Sequence, residues 1–151
     1  MIIIGHVLHV LAAVIWIGGM FFAHLILRPS LVSLEPSSRL PVWQRVFARF
    51  FPWVWLSIIA LFGSGIGMVS LEFGGFSTLS GYVQVMMALG VLMTLIYVYL
   101  YFVPWRRFRA ATTASDWSRA DTQIRQIRLL VTTNLLLGLI TVVIGSSGRF
   151  F

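Results

Sequence analysis

Four long apolar stretches divide the chain, and polar residues collect between them. A helix that crosses the hydrocarbon core of a bilayer needs about 20 mostly apolar residues, and each stretch meets or nearly meets that length. The pattern predicts an all-α membrane protein, a bundle of four transmembrane helices in a single domain. We expect the first stretch to be a retained helix, because it lacks the basic start of a signal peptide. The stretches are residues 2–27, 53–71, 81–103 and 129–144, and the domain covers residues 1–151.

The segments around these stretches carry further helical patterns. In the first connection, RLPVWQRVFARFF repeats large apolar residues at helical spacing, with Arg45 and Arg49 four apart on the other side. This pattern is typical of a short helix that lies in the membrane interface. The third connection contains DWSRADTQIRQIR, which predicts a helical extension into the fourth stretch. Within the second stretch, Gly63 and Gly67 form a GxxxG pair, which predicts a close-packing helix face.

Composition and charge indicate how the helices are oriented. The chain is 59% hydrophobic and only 10% charged, so a soluble fold could not cover its apolar surface. All eleven basic residues are arginines, which concentrate in the first and third connections. Because basic loops stay in the cytoplasm, we expect both termini and the second connection to be periplasmic in a bacterial inner membrane. Topology accounts for the net charge of +7, so we expect no nucleic-acid partner.

All three histidines lie in the first apolar stretch, where solvation is poorest. His6 and His9 are three residues apart and therefore neighbours on one helix face, where they can chelate one metal ion. His24 lies about 22 Å farther along a helix that rises ~1.5 Å per residue, so it cannot share that ion. Polar groups inside a membrane are costly and are candidates for function. We therefore interpret the helix as carrying an outer and an inner polar site.

Methionines at the depth of the outer pair suggest the chemistry of its site. Met68 lies near the end of the second stretch, and Met86 and Met87 lie near the start of the third. All three are therefore expected near the level of the histidine pair. Imidazole and thioether form a soft ligand set that suits copper, above all Cu(I). A single methionine is also a common apolar filler. The sequence predicts a periplasmic-side copper site whose ligands come from His6, His9 and these methionines.

The inner level combines His24 with Arg28 and with Asn134 of the fourth stretch, and these three are candidates for binding a cofactor. The simplest structural interpretation is a hydrogen bond between His24 and Asn134, since asparagine often joins helices in membranes. A b-type haem is the alternative to copper. His6 and His9 project from the same face of one helix, so they cannot bind the haem iron from opposite sides of the porphyrin. Haem would need a single histidine, a histidine with a methionine, or a histidine from another subunit. No paired carboxylates lie within the apolar stretches, so the sequence leaves enzyme activity open.

The segment LHVLAAVIWIGGMFF, followed by LRPSL, resembles the first helix of the copper-resistance D (CopD) family of bacterial inner-membrane proteins. The resemblance implies copper handling in the lipid bilayer, with a periplasmic copper carrier as partner. The four-helix plan resembles, more distantly, the protoporphyrinogen oxidase HemJ, although this chain has no lysine in its third stretch. The alternative function is therefore a b-type haem-binding redox protein that is linked to quinone or oxidises a porphyrinogen. The sequence also leaves open whether the protein forms a homo-oligomer. The CopD-like pattern comprises His9, Trp16, Gly18, Gly19, Phe21 and Phe22.

Overall fold

The computed structural model describes residues 2–72 and 80–148, and every element in those ranges is a helix. Four of these helical stretches are long and apolar enough to cross a membrane, which confirms the predicted all-α bundle. The elements are α1 (Ile2–Phe21), a π-helical segment (Phe22–Leu27), α2 (Arg28–Ser30), α3 (Pro36–Glu72), α4 (Gly81–Phe102), α5 (Pro104–Thr113) and α6 (Trp117–Ser147).

The helix that contains the second apolar stretch begins far earlier than the hydropathy of the sequence indicates. Residues 40–51 are helical, but they do not form a separate interfacial helix, and that prediction is wrong. They belong to α3, which continues through Pro41 and Pro52. Trp43 and Phe47 are at most 5% exposed, because their row packs against α5 and α6 and not against lipid. Membrane helices tolerate proline where neighbouring helices support the backbone, so neither proline ends α3.

Two local signals set the ends of α4, α5 and α6. Pro104 lacks a backbone donor and starts α5 at its first turn, the position that proline favours. The carboxylate of Asp116 accepts a hydrogen bond from the backbone N–H of Arg119 at 3.1 Å, which caps the start of α6. From this cap α6 runs without a break through the last apolar stretch. The predicted helical extension into that stretch is confirmed.

The most deeply buried side chains lie where the first and third connections meet, an end that we call the arginine-rich end. Here the ring of Phe47 lies 5.2 Å from Phe51, 5.9 Å from Trp105 and 6.2 Å from Phe108. Aromatic burial of this kind dominates the energetics of a core. The side chains that are 0% exposed all belong to this region, and they are Leu40, Phe108, Ala120, Ile124 and Ile127.

The opposite end holds the start of α1 and the end of α6, and we call it the terminal end. Here α1 packs along α3, and α4 packs along α6. A Cβ atom on Gly63 or Gly67 would meet no described atom within 4 Å, so the predicted GxxxG packing face is wrong. The reason is that α1 lies against the neighbouring face of α3, where a Cβ on Gly65 would be 3.7 Å from His9.

Candidate functional site

His9 is held on α3 by one hydrogen bond. Its Nδ1 lies 2.9 Å from Oγ of Ser64, and that hydroxyl lies 2.5 Å from the carbonyl oxygen of Ala60. A serine hydroxyl has one hydrogen to donate. With the hydroxyl hydrogen on the helix carbonyl, Oγ can accept a hydrogen from Nδ1. In that tautomer of His9, Nε2 carries a free lone pair, which is the form that binds a metal.

Met68 lies one helical turn beyond Ser64 on the same face of α3. A Cβ on Gly5 would lie 3.9 Å from Cγ of Met68, so the methionine packs against the turn of α1 that precedes His9. His6 follows Gly5 directly, and its side chain is exposed. Two of the five predicted metal ligands, His9 and Met68, thus lie at the contact between α1 and α3, and His6 lies exposed on α1 one turn before His9.

The two methionines of α4 lie elsewhere. A Cβ on Gly145 would be 3.2 Å from Sδ of Met86, so Met86 packs against α6. Met87 is 40% exposed. This placement follows from the pairing of helices, because α4 contacts α6 whereas α1 contacts α3. A role for either α4 methionine in copper binding stays a prediction.

Imidazoles and carboxylates alone do not form a metal site in the part of the chain that the structure describes. No group of three His, Asp or Glu side chains gathers there around one point. A copper site at the α1–α3 contact would therefore draw on thioether sulfur in addition to imidazole nitrogen. This donor set is soft, and it matches Cu(I) better than it matches Zn²⁺ or Mg²⁺.

His24 lies toward the arginine-rich end and repeats the geometry of His9. Its Nδ1 is 3.3 Å from Oγ1 of Thr132, and that hydroxyl donates to the carbonyl of Arg128 at 2.8 Å. With that hydrogen on the carbonyl, Nδ1 of His24 can donate to Oγ1, and Nε2 then keeps its lone pair. The predicted hydrogen bond to Asn134 is wrong. Residues two apart on a helix point about 200° from each other at ~3.6 residues per turn, so Thr132 and Asn134 face different helices.

Asn134 serves the contact between α4 and α6. Its Nδ2 donates to the carbonyl oxygen of Met93 at 3.0 Å, and its side chain is 1% exposed. Such a bond joins two helices in an apolar environment, where asparagine has few other partners. Of the three residues predicted at the inner level, Asn134 is thus the one whose side chain bonds to α4.

The six residues Phe22–Leu27 around His24 form a π-helix, which sequence reasoning missed. The segment FAHLIL contains neither proline nor glycine and gives no local signal for it. The backbone N–H of Arg28 bonds to the carbonyl of Ala23, five residues earlier. π-helical turns are rare and are frequent at functional sites. The wider turn changes the register between His24 and the residues that follow it.

Four arginines from three elements converge just beyond His24, and we call Arg28, Arg39, Arg125 and Arg128 the arginine cluster. Asp121 lies among them: its Oδ1 is 3.3 Å from Nη2 of Arg39, and its Oδ2 is 3.4 Å from Nη2 of Arg125. Arg128 lies close enough to the other three for their charges to repel its own. The sequence pattern indicated only that these residues lie on one side of the membrane, because their convergence depends on how α1, α3 and α6 pack.

Comparison with known proteins places this architecture in a family. The family model described as Copper resistance protein D (CopD) matches residues 44–147, which is well over half of the chain. The chain belongs to the CopD family. The CopD assignment is thereby confirmed, on a region that begins in α3 and does not include the first apolar stretch. Together with its four long apolar helices, this identifies a multi-pass membrane protein of a copper-resistance family.

A relative of this CopD-family protein occurs in Aquifex aeolicus (strain VF5). That protein, described as "Uncharacterized protein", is 29% identical over 141 residues, which cover 91% of this chain and 88% of the relative. No solved structure matches the chain.

Proposed function

We propose that this CopD-family protein binds copper as Cu(I) at the contact between α1 and α3, through His9, Met68 and His6. The observation that carries the proposal is the hydrogen bond from Nδ1 of His9 to Ser64, at 2.9 Å. Nε2 is then available to a metal ion, and Met68 lies one helical turn beyond Ser64 on α3. Histidines that bind metals typically use their other ring nitrogen in this way, and the bond fixes both tautomer and orientation.

The three side chains suit different tasks in copper binding. His9 is half-buried and oriented, and Met68 packs close by on the same contact. His6 is the exposed one of the three, so it is the first that an incoming ion would meet. By the distribution of arginines the terminal end faces the periplasm. We infer that copper arrives there from a periplasmic carrier, with His6 as the acquiring ligand.

His24 would be a second position on the same helix. Its Nε2 is free by the same argument as that of His9, and the two histidines are fifteen residues apart. That separation is about 22 Å in a helix, so the two cannot bind one ion. A role for His24 in moving copper toward the arginine-rich end would therefore need a separate step.

A competition titration against a chromophoric Cu(I) chelator tests the proposal on purified protein in detergent. We expect His9→Ala and Met68→Leu each to weaken Cu(I) binding at least tenfold, and Met68→Leu nearly conserves side-chain volume. The matched control is Met87→Leu, which changes an exposed methionine of α4. His24→Ala should bind Cu(I) like the wild type. Absence of Cu(I) binding by the wild type, or equal affinity in all variants, would refute the proposal.

A b-type haem protein is the second candidate, and one observation favours it. His24 offers a free Nε2 and lies within the electrostatic influence of Arg28 and Arg128. A histidine ligand beside two guanidinium groups is suited to a porphyrin that carries carboxylates. The absorption spectrum of the purified protein separates the two candidates. A Soret band that disappears in His24→Ala supports haem, whereas a colourless protein that binds Cu(I) supports the first proposal.

A further inference from the structure

The arginine cluster carries more positive charge than its surroundings neutralise. Four guanidinium groups meet one carboxylate, Asp121, which leaves a net charge of +3 (four minus one). Both ion pairs of the described residues use Asp121, with Arg39 and Arg125 as partners. Arg28 and Arg128 have no acidic partner within those described ranges. Like charges held this close repel one another unless a counter-ion lies between them.

Two nitrogens of the cluster are buried without an acceptor. Nε of Arg39 and Nε of Arg128 are both inaccessible to solvent and have no hydrogen-bond partner among the described residues. Burying an N–H of a charged group without an acceptor is costly. The planar guanidinium presents its donors in a fork that matches the oxygens of a phosphate. Arg39 and Arg128 are otherwise only partly buried, so an oxyanion between α3 and α6 can pair with their outer nitrogens and reduce the repulsion, and a small shift of the side chains would bring it to the two buried nitrogens.

The position of the cluster identifies the source of that anion. Leu129 follows Arg128 directly and is 67% exposed, while Leu25 and Ile26 precede Arg28 and are 52% and 49% exposed. The arginines therefore lie where the lipid-facing surface of α1 and α6 ends, at the depth of phospholipid headgroups. Acyl chains can lie along these exposed apolar side chains while the phosphate reaches the guanidinium groups. A soluble phosphate would use no such surface.

We propose that the arginine cluster is a binding site for the phosphate of an anionic phospholipid. Arg28 and Arg128 contact the phosphate from α2 and α6, and Arg39 contacts it from α3. Basic pockets between membrane helices on the cytoplasmic side are suited to such headgroups. The net charge of +3 selects a headgroup with no cation of its own, such as phosphatidylglycerol, over phosphatidylcholine. The bound lipid joins three elements at one point and stabilises their packing.

The test is the thermal unfolding of the purified full-length protein in a nonionic detergent. Phosphatidylglycerol, phosphatidylcholine with the same acyl chains, and inorganic phosphate are titrated separately. We expect phosphatidylglycerol alone to raise the melting temperature of the wild type. Equal stabilisation by inorganic phosphate would overturn the lipid assignment in favour of a soluble anion, and equal stabilisation by phosphatidylcholine would show that charge is not recognised.

Variants then locate the site. Arg28→Gln and Arg128→Gln should each need at least about tenfold more phosphatidylglycerol for the same effect, since a charge-assisted pair is lost. Arg109→Gln is the matched control, because Arg109 is exposed on α5 and outside the cluster. Arg28 is itself exposed, so its replacement leaves the fold intact even if Arg128→Gln unfolds the protein. Full retention of the phosphatidylglycerol effect in Arg28→Gln would overturn the proposal.

Discussion

Replacing Ser64 with alanine removes the hydroxyl that fixes the ring of His9. In the wild type, Oγ of Ser64 accepts the hydrogen of Nδ1 at 2.9 Å while donating to the carbonyl of Ala60. In Ser64→Ala the carbonyl of Ala60 loses the hydroxyl but keeps its helical hydrogen bond. Nδ1 of the half-buried His9, in contrast, loses the hydroxyl as its partner. The ring is then free to rotate or to move its hydrogen to Nε2, and both changes oppose metal binding.

The expected loss follows from the role of the partner. Removal of the hydrogen-bond partner of a ligating histidine typically costs 10–100-fold in metal affinity. At about 1.4 kcal/mol per factor of ten, this corresponds to roughly 1.4–2.8 kcal/mol. The loss should be smaller than that of His9→Ala, which removes the ligand itself. Ser64→Thr keeps a hydroxyl at the same position and should retain most of the affinity.

The assay is the Cu(I) competition titration, carried out on the wild type, Ser64→Ala, Ser64→Thr and one control. The control is Ser70→Ala, because Ser70 lies on the same helix and its hydroxyl bonds only to a backbone carbonyl, at 3.0 Å. The reasoning is refuted if Ser64→Ala binds Cu(I) like the wild type while His9→Ala does not. A similar loss in Ser70→Ala would instead indicate a general effect of removing hydroxyl groups from α3.

Three further predictions concern packing and topology. Gly138→Ala should destabilise the protein by about 1–3 kcal/mol, because its Cβ would lie 2.9 Å from a side chain of α1. Gly63→Ala should be neutral or stabilising, and thermal melts in detergent compare the two variants. Tyr97→Phe removes a buried hydrogen bond of 3.0 Å to a carbonyl of α3 and should cost about 0.5–1.5 kcal/mol in the same melts. Reporter fusions after Gly75 and after Ala114 should report periplasm and cytoplasm, and the inverse result would place the proposed copper site on the cytoplasmic side.

Hydropathy predicted the four spans because a helix in lipid must satisfy its own backbone and needs a fixed apolar length. The same criterion misplaced the start of the second span. Proline and arginine lower the hydropathy of residues 36–52, and the aromatic row beside them resembles an interfacial helix. The structure buries that row against α5 and α6. Amphipathic pattern alone does not distinguish a helix that faces lipid headgroups from one that faces other helices.

The candidate site was predictable as far as it depends on one helix. Spacing placed His6 and His9 on one helix, and the structure packs Met68 against the same part of α1, at Gly5; their joint binding of a metal stays a prediction. The partner of His24 was predicted incorrectly, because the choice between Thr132 and Asn134 depends on helix rotation, which the π-helical segment alters. The arginine cluster depends on the meeting of three elements that are distant in sequence. Such convergence has no periodic signal in the chain.

The aromatic core concentrates the burial of side chains at the arginine-rich end of the molecule. The side chains that are 0% exposed lie at this end. From it, two helix pairs, α1 with α3 and α4 with α6, extend toward the terminal end. Parts of a protein with fewer buried contacts open at lower free energy than its core. We therefore expect backbone amide hydrogens near the terminal end to exchange with solvent faster than those at the arginine-rich end.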